Sequence, residues 1–144
     1  MPYNTKSIGI AYEDQYINSG QIDSTPIGSG GASTGAFTVL SANQLRLNAP
    51  VTKTASFTLG DTENFVICNG SAANVTVTFP TASANVGRVV VIKNLSATYT
   101  VISASSNVLP LNSSSAGTAI LAASAGAWAI LVCDGTNWVE MAAN

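Results

Sequence analysis

The sequence predicts an all-β protein: an antiparallel β-sandwich or jelly-roll-like domain preceded by an extended N-terminal arm. Three observations lead there. From about residue 54 the 144-residue chain is a succession of short Val/Ile/Thr-rich runs separated by Asn, Gly, Ser and Pro, and short β-prone runs at regular spacing are the mark of sandwiches and jelly rolls. Val75-Thr-Val-Thr-Phe79 alternates with period two, the signature of a strand with one face in a core. The final stretch from Trp128 to Asn144 carries Asp134-Gly135 between two apolar runs, a strong hairpin signal because tight turns need the positive φ that Gly adopts without steric cost.

The arm comes first. Residues 1–36 show no sustained periodicity, only Tyr3, Tyr12 and Tyr16 with Ile8, Ile10, Ile17, Ile22 and Ile27 among polar residues. They hold too little clustered apolar sequence for a core, yet lack the charged, aromatic-poor composition of a solvated tail. An extended segment that orders against a partner fits both facts; a loosely ordered tail is the alternative. Gly28-Ser-Gly-Gly-Ala-Ser-Thr-Gly35 reads as a hinge. Residues 37–53 form a connecting segment, with β-prone pieces at 36–40 and 55–59 on either side of Pro50, which disfavours helix at Ala49.

The β domain spans 54–144. Strands are expected at 54–59, 64–69, 73–79, 87–94, 98–103, 107–111, 117–122, 127–133 and 137–142, with turns at Gly60-Asp61, Asn69-Gly70, Pro80, Asn85-Val-Gly87, Asn94, Asn107, 112–117, Gly126 and Asp134-Gly135. Val75, Val77 and Phe79 should face the core, and Thr76 and Thr78 water. Arg88-Val-Val-Val-Ile-Lys93 is apolar at both parities between charged ends, which suits a central strand covered on both sides. The Ala-rich segment 117–130 reads as strand because Gly117, Gly126 and its Thr, Ile and Val content oppose a helix.

Composition narrows function. Only 8% of residues are charged, against roughly 25% in ordinary soluble domains; Ser, Thr, Asn and Gly replace them. Such near-neutral surfaces suit extracellular or particle-bound proteins that bury much of their area in an assembly. The five cations, Lys6, Arg46, Lys53, Arg88 and Lys93, are dispersed and make no basic stripe for nucleic acid. No apolar run reaches the roughly 18 residues of a membrane span. The first residues lack the apolar core of a signal peptide, so synthesis in a host cytoplasm without that export route is expected. Sequons at Asn69, Asn74, Asn94 and Asn112 then read as turn chemistry.

Catalysis has few candidates. The chain has no His, so hydroxyl- and thiol-nucleophile relays lack their usual base. Carboxylate pairs remain at Glu13/Asp14 and Asp61/Glu63, and Asp61-Thr-Glu-Asn64 has oxygens enough for weak calcium binding; solvated turn carboxylates are the simpler reading of both. Cys68 and Cys133 sit in apolar runs and read as small buried hydrophobes, with a disulfide as the alternative. No catalytic residue, cofactor or metal is expected. Trp128 and Trp138 bracket the hairpin and read as cross-strand core partners, with an exposed stacking or subunit-contact role, shared by Tyr99, as the alternative.

An ordered set of segments resembles a β domain of tailed-bacteriophage virion proteins, found in tail fibres, head fibres and capsid decoration (cement) proteins. These are Thr58-Leu-Gly-Asp61, Phe65-Val-Ile-Cys68, Val75-Thr-Val-Thr-Phe-Pro80, Val86-Gly-Arg-Val-Val-Val-Ile-Lys-Asn94, Tyr99-Thr-Val-Ile-Ser103 and Ala127-Trp-Ala-Ile-Leu-Val-Cys-Asp-Gly-Thr-Asn-Trp138. The similarity covers roughly residues 55–142. It implies a non-enzymatic structural protein on a virion, self-associating as a homotrimer or a dimer. The short arm favours a decoration protein on the capsid outer surface. Its partner would be the major capsid protein, held by Tyr3, Ile8, Ile10, Tyr12, Tyr16, Ile17 and Ile22. The alternative is a fibre or tip protein that binds a receptor or glycan through Tyr99, Trp128 or Trp138.

Overall fold

A computed structural model of the chain describes residues 43–144. Ten strands occur there: β1 (Val51–Lys53), β2 (Phe57–Thr58), β3 (Phe65–Cys68), β4 (Val75–Thr78), β5 (Val89–Asn94), β6 (Val101–Ser103), β7 (Val108–Leu109), β8 (Ala119–Leu121), β9 (Trp128–Cys133) and β10 (Trp138–Ala143). The one helical piece among the described residues is a 3-10 turn at Ala82–Ala84. Each of the nine segments expected to be strand contains one, and the Ala-rich segment gives β8. The additional strand, β1, falls inside the expected connecting segment, so the sheet begins before residue 54.

The strands make a six-stranded sheet, β1-β3-β5-β9-β10-β7, and a four-stranded sheet, β2-β4-β6-β8. The expected antiparallel pairing is corrected here. Five of the eight strand pairs are parallel and three antiparallel. From β1 to β6 the chain alternates between the sheets and advances one strand in each on every pass. Phe65 pairs with Val91 in one sheet and Val75 with Val101 in the other, both offsets being 26 residues. Successive corners stack by backbone hydrogen bonds, Asn69 N–H to the Lys53 carbonyl and Leu95 N–H to that of Cys68, both 2.8 Å. The turns at Asn69-Gly70 and Asn94 therefore carry the chain to the opposite sheet instead of reversing it within one.

Only β9–β10 is the hairpin that the Asp-Gly pair predicts. Cys133 pairs with Trp138, leaving a loop of four residues. Asp134 Oδ1 accepts from the N–H groups of Thr136 (2.7 Å) and Asn137 (2.6 Å), and Gly135 takes φ 97°. Those two donors hold the Asp134 carboxyl below its usual range.

Both sheets feed one core. Val66, Val90, Ile92, Leu131 and Trp138 from the larger sheet meet Val75, Val77, Val101 and Ile120 from the smaller. Val75, Val77 and Phe79 are buried as expected, Thr76 is half-buried and Thr78 exposed. Phe79 stacks on Trp138 with ring centroids 4.7 Å apart, joining the sheets. Asn94 is 1% exposed, and its side chain is fully used. Nδ2 donates to the carbonyls of Tyr99 and Ala122, each at 2.9 Å, and Oδ1 accepts from Ser96 N–H at 3.0 Å. One amide thus holds three connections in register.

Candidate functional site

The most distinctive surface is the outer face of the six-stranded sheet. Strand register places three rows across it. Leu109, Val139, Val132 and Val89 form the first; Ala142, Ile130, Val91 and Phe65 the second; Trp128, Lys93, Ile67 and Thr52 the third. Ten of these twelve positions are apolar, Lys93 and Thr52 being the exceptions. Their side chains are half-buried or exposed, with Val89 46% exposed. The outer face of the four-stranded sheet, by contrast, carries Thr58 beside Thr78, and Thr76 beside Ile102 and Ala119. One sheet turns hydroxyls to water as a solvated sheet does, and the other does not.

The expectation that 88–93 is covered on both sides is therefore met on one side only within this domain. Val90 and Ile92 are fully buried, while Val89 and Val91 look outward. Two shallow grooves score this face. One, of about 340 Å³, runs between Leu47, Phe65, Arg88, Val89 and Val91; the other, of about 200 Å³, between Pro50, Phe65, Ile67, Val91 and Lys93. With strands ~4.8 Å apart and same-face residues ~6.7 Å apart, twelve positions give a flat footprint of roughly 400 Å². That lies within the range of the largest, often functional, apolar patches on monomers.

The structure separates the aromatic candidates. Trp128 is half-buried in the third row of the outer face, where a contact or stacking role is open to it. Trp138 takes the core role read for it, and the alternative contact role is corrected: it is fully buried against Phe79 and its ring is closed to any partner. The difference is parity, since Trp128 pairs with outward Lys93 and Trp138 with inward Cys133. Tyr99 is half-buried, and its backbone carbonyl accepts from Asn94 Nδ2. Tyr3, Ile8, Ile10, Tyr12, Tyr16, Ile17 and Ile22 lie outside the described residues, as do Glu13, Asp14, the glycine hinge and the 36–40 piece.

Glu63 is occupied structurally. Oε1 accepts from Lys53 Nζ at 2.6 Å and Oε2 from Gly60 N–H at 2.9 Å. The lysine bond, followed by the Gly60 N–H, holds its pKa below the ordinary value. Arg88 closes the same loop by donating to the carbonyls of Gly60 and Glu63. An ionised carboxylate with both oxygens engaged is a loop clamp, a poor proton donor for glycoside chemistry. Among the described residues no group of three or more acidic, His or Cys side chains gathers as a metal site would require. Cys68 and Cys133 are free and buried. Burial pushes the Cys68 thiol up to about 12, which keeps it protonated and unreactive at neutral pH.

Sequence reasoning missed Glu140, which is 7% exposed and points inward from β10 beside a bulge. Oε2 accepts from Leu111 N–H at 3.1 Å. Oε1 is shut from solvent with no partner among the described residues. Burial raises its pKa, and the Leu111 bond opposes that only in part. Glu140 borders a cleft of about 370 Å³ lined also by Leu111, Asn112, Ser113 and Asn144, but its unpaired oxygen is closed off from that space. The available signal was parity: two residues after Trp138 on one strand, Glu140 shares its face.

The fold and this surface define an all-β domain with one solvated and one apolar outer sheet face. The chain matches no protein-family model and no curated protein sequence.

Proposed function

We propose that this chain is a non-enzymatic structural protein of a bacteriophage virion, a capsid decoration (cement) protein. It would bind the outer surface of the head through residues 1–36 and present the β domain as a knob of sandwich or jelly-roll kind that associates with further copies. The observation that carries the reading is the apolar outer face of the six-stranded sheet on a chain with so little charge. A domain working alone in water gains nothing from ten outward apolar positions, whereas an assembly subunit buries them. The ordered resemblance to phage virion domains gives the assembly its class. The mechanism is mass action: a protein that binds only the assembled lattice stabilises that lattice.

The test is deletion of residues 1–30, followed by sedimentation of the truncated and full chains with purified heads. The proposal predicts that the full chain co-sediments and the truncated one stays in the supernatant with its β circular-dichroism spectrum intact. Retained binding would refute the arm as anchor. A second reading, a fibre or tip protein that binds a glycan, is favoured by one observation, the outward Trp128 beside Lys93. Binding to a glycan array that is lost in Trp128→Ala would favour it.

A further inference from the structure

We infer that Asn69 is a site of spontaneous deamidation, where the folded chain converts its own asparagine to aspartate and isoaspartate. The reaction needs a side-chain amide free to be attacked, a following backbone nitrogen free to attack it, and no β-carbon on that following residue to block the approach. Asn69-Gly70 is the one Asn-Gly pair in the chain, and Asn69 is exposed. Neither the Asn69 amide nor the Gly70 N–H has a hydrogen-bond partner among the described residues, although Gly70 is buried and buried N–H groups are nearly always paired. The crowding around Gly70 lies where a β-carbon would stand, against the Ala73 carbonyl, Val75 and Tyr99. Elsewhere asparagine is followed by a residue with a β-carbon, and several asparagines are held as well. The Asn94 amide makes all its bonds, and Asn74 Oδ1 accepts from Thr100 N–H at 3.0 Å. Asn112 faces a Ser113 N–H already committed to the Pro110 carbonyl at 3.1 Å. At Asp134-Gly135 the carboxylate is engaged by Thr136 and Asn137, and an ionised carboxylate resists attack.

The step balances with water alone. The Gly70 nitrogen gives its proton to solvent base and bonds to Asn69 Cγ. The Cγ–Nδ2 bond breaks, and Nδ2 takes up a proton and leaves as ammonia. Water then opens the cyclic imide, giving aspartate when it adds at the side-chain carbonyl and isoaspartate when it adds at the main-chain carbonyl. Either product adds one negative charge to a chain of formal net charge −2. Isoaspartate also lengthens the main chain by a methylene between Asn69 and Gly70. That corner is poorly able to take it: Asn69 N–H bonds the Lys53 carbonyl at 2.8 Å, and a β-carbon at Gly70 would already lie 2.7 Å from the Ala73 carbonyl oxygen. The modification therefore loosens the first stacked corner of the coil, and an acidic, less stable form accumulates with age. This inference does not rest on the capsid reading.

The test is incubation of the folded full chain at mildly alkaline pH, followed by peptide mapping with mass spectrometry, with a guanidinium-unfolded sample run in parallel. The expected result is a gain of about one dalton in the peptide that holds Asn69, resolved into two products, before any other peptide of residues 43–144 changes. The incubated wild type should also show a lower urea midpoint than fresh protein. Asn69→Gln, whose longer side chain closes the imide ring far less readily, should keep its midpoint through the same incubation. An Asn69 that stays intact in the folded chain while the unfolded chain is modified there would show that the fold protects it, and overturns the inference. So does earlier reaction at Asn112, at Asp134 or at any other residue of 43–144, or a modified wild type whose urea midpoint has not moved.

Discussion

Asn94→Ala tests the link between one buried amide and the coiled course of the chain. The substitution removes three hydrogen bonds, to the Tyr99 and Ala122 carbonyls and from Ser96 N–H, at a site 1% exposed. A net loss of about 1 kcal/mol per bond, with more for each group left unsatisfied, gives ~3 kcal/mol. Ala122 is itself exposed and its carbonyl can find water, which keeps the sum below the full penalty for three buried orphans. Against a stability of roughly 5–15 kcal/mol this is a large fraction. The assay is urea unfolding at one fixed protein concentration, with Trp138 fluorescence as reporter, and the midpoint should fall by about 1–2 M at unchanged slope. Asn94→Asp should cost more than Asn94→Ala at pH 7, because a carboxylate would face two carbonyl oxygens, and the gap should narrow as acid protonates it. A cost below ~1 kcal/mol for Asn94→Ala, or an Asp variant as stable as wild type, would refute the reasoning.

Three further outcomes are expected. Trp138→Ala should cost about 3–5 kcal/mol through loss of the stacked core pair, while Trp128→Ala costs about 1 kcal/mol or less in the monomer; equal losses in thermal unfolding would contradict the face assignment. Glu140→Gln should alter the pH dependence of stability. The folded-state pKa of Glu140 is raised, so its proton-linked stabilisation is complete below about pH 4.5 and fades as pH rises through the folded value. The wild-type minus variant difference in melting temperature should therefore fall with rising pH, and a flat or rising difference would count against it. Gly70→Ala should destabilise by roughly 1–3 kcal/mol, since the new Cβ would lie 2.7 Å from the Ala73 carbonyl oxygen and 3.1 Å from Val75 Cγ2; a neutral effect in denaturant melts would contradict the close approach.

Much of the domain was legible in the sequence because its strands are short and well punctuated. Val75, Val77 and Phe79 announced their face by alternation, and Asp134-Gly135 its hairpin. Pairing was not legible. A turn that reverses a strand and a turn that moves the chain to the facing sheet draw on the same Asn, Gly and Ser residues, so Asn69-Gly70 reads as a hairpin although it starts a crossover. Asn94 looked like a turn residue, and it is one, but its buried amide is visible only once Tyr99, Ala122 and Ser96 are brought around it. Val51-Thr-Lys53 escaped because three residues give no period to detect. The outer face was half legible: the doubly apolar run 89–92 signalled a second cover, while the rows from Leu109 to Thr52 needed the strand order.

The proposed function is that of an assembly protein of a phage head. Cryo-electron microscopy of the particle that carries the chain tests it most directly. The proposal predicts β-domain density at many symmetry-related positions on the outer capsid surface, with the apolar outer face of the six-stranded sheet covered by a neighbouring molecule. Density confined to one vertex or to the tail, or apolar sheet faces left open to solvent, would contradict it.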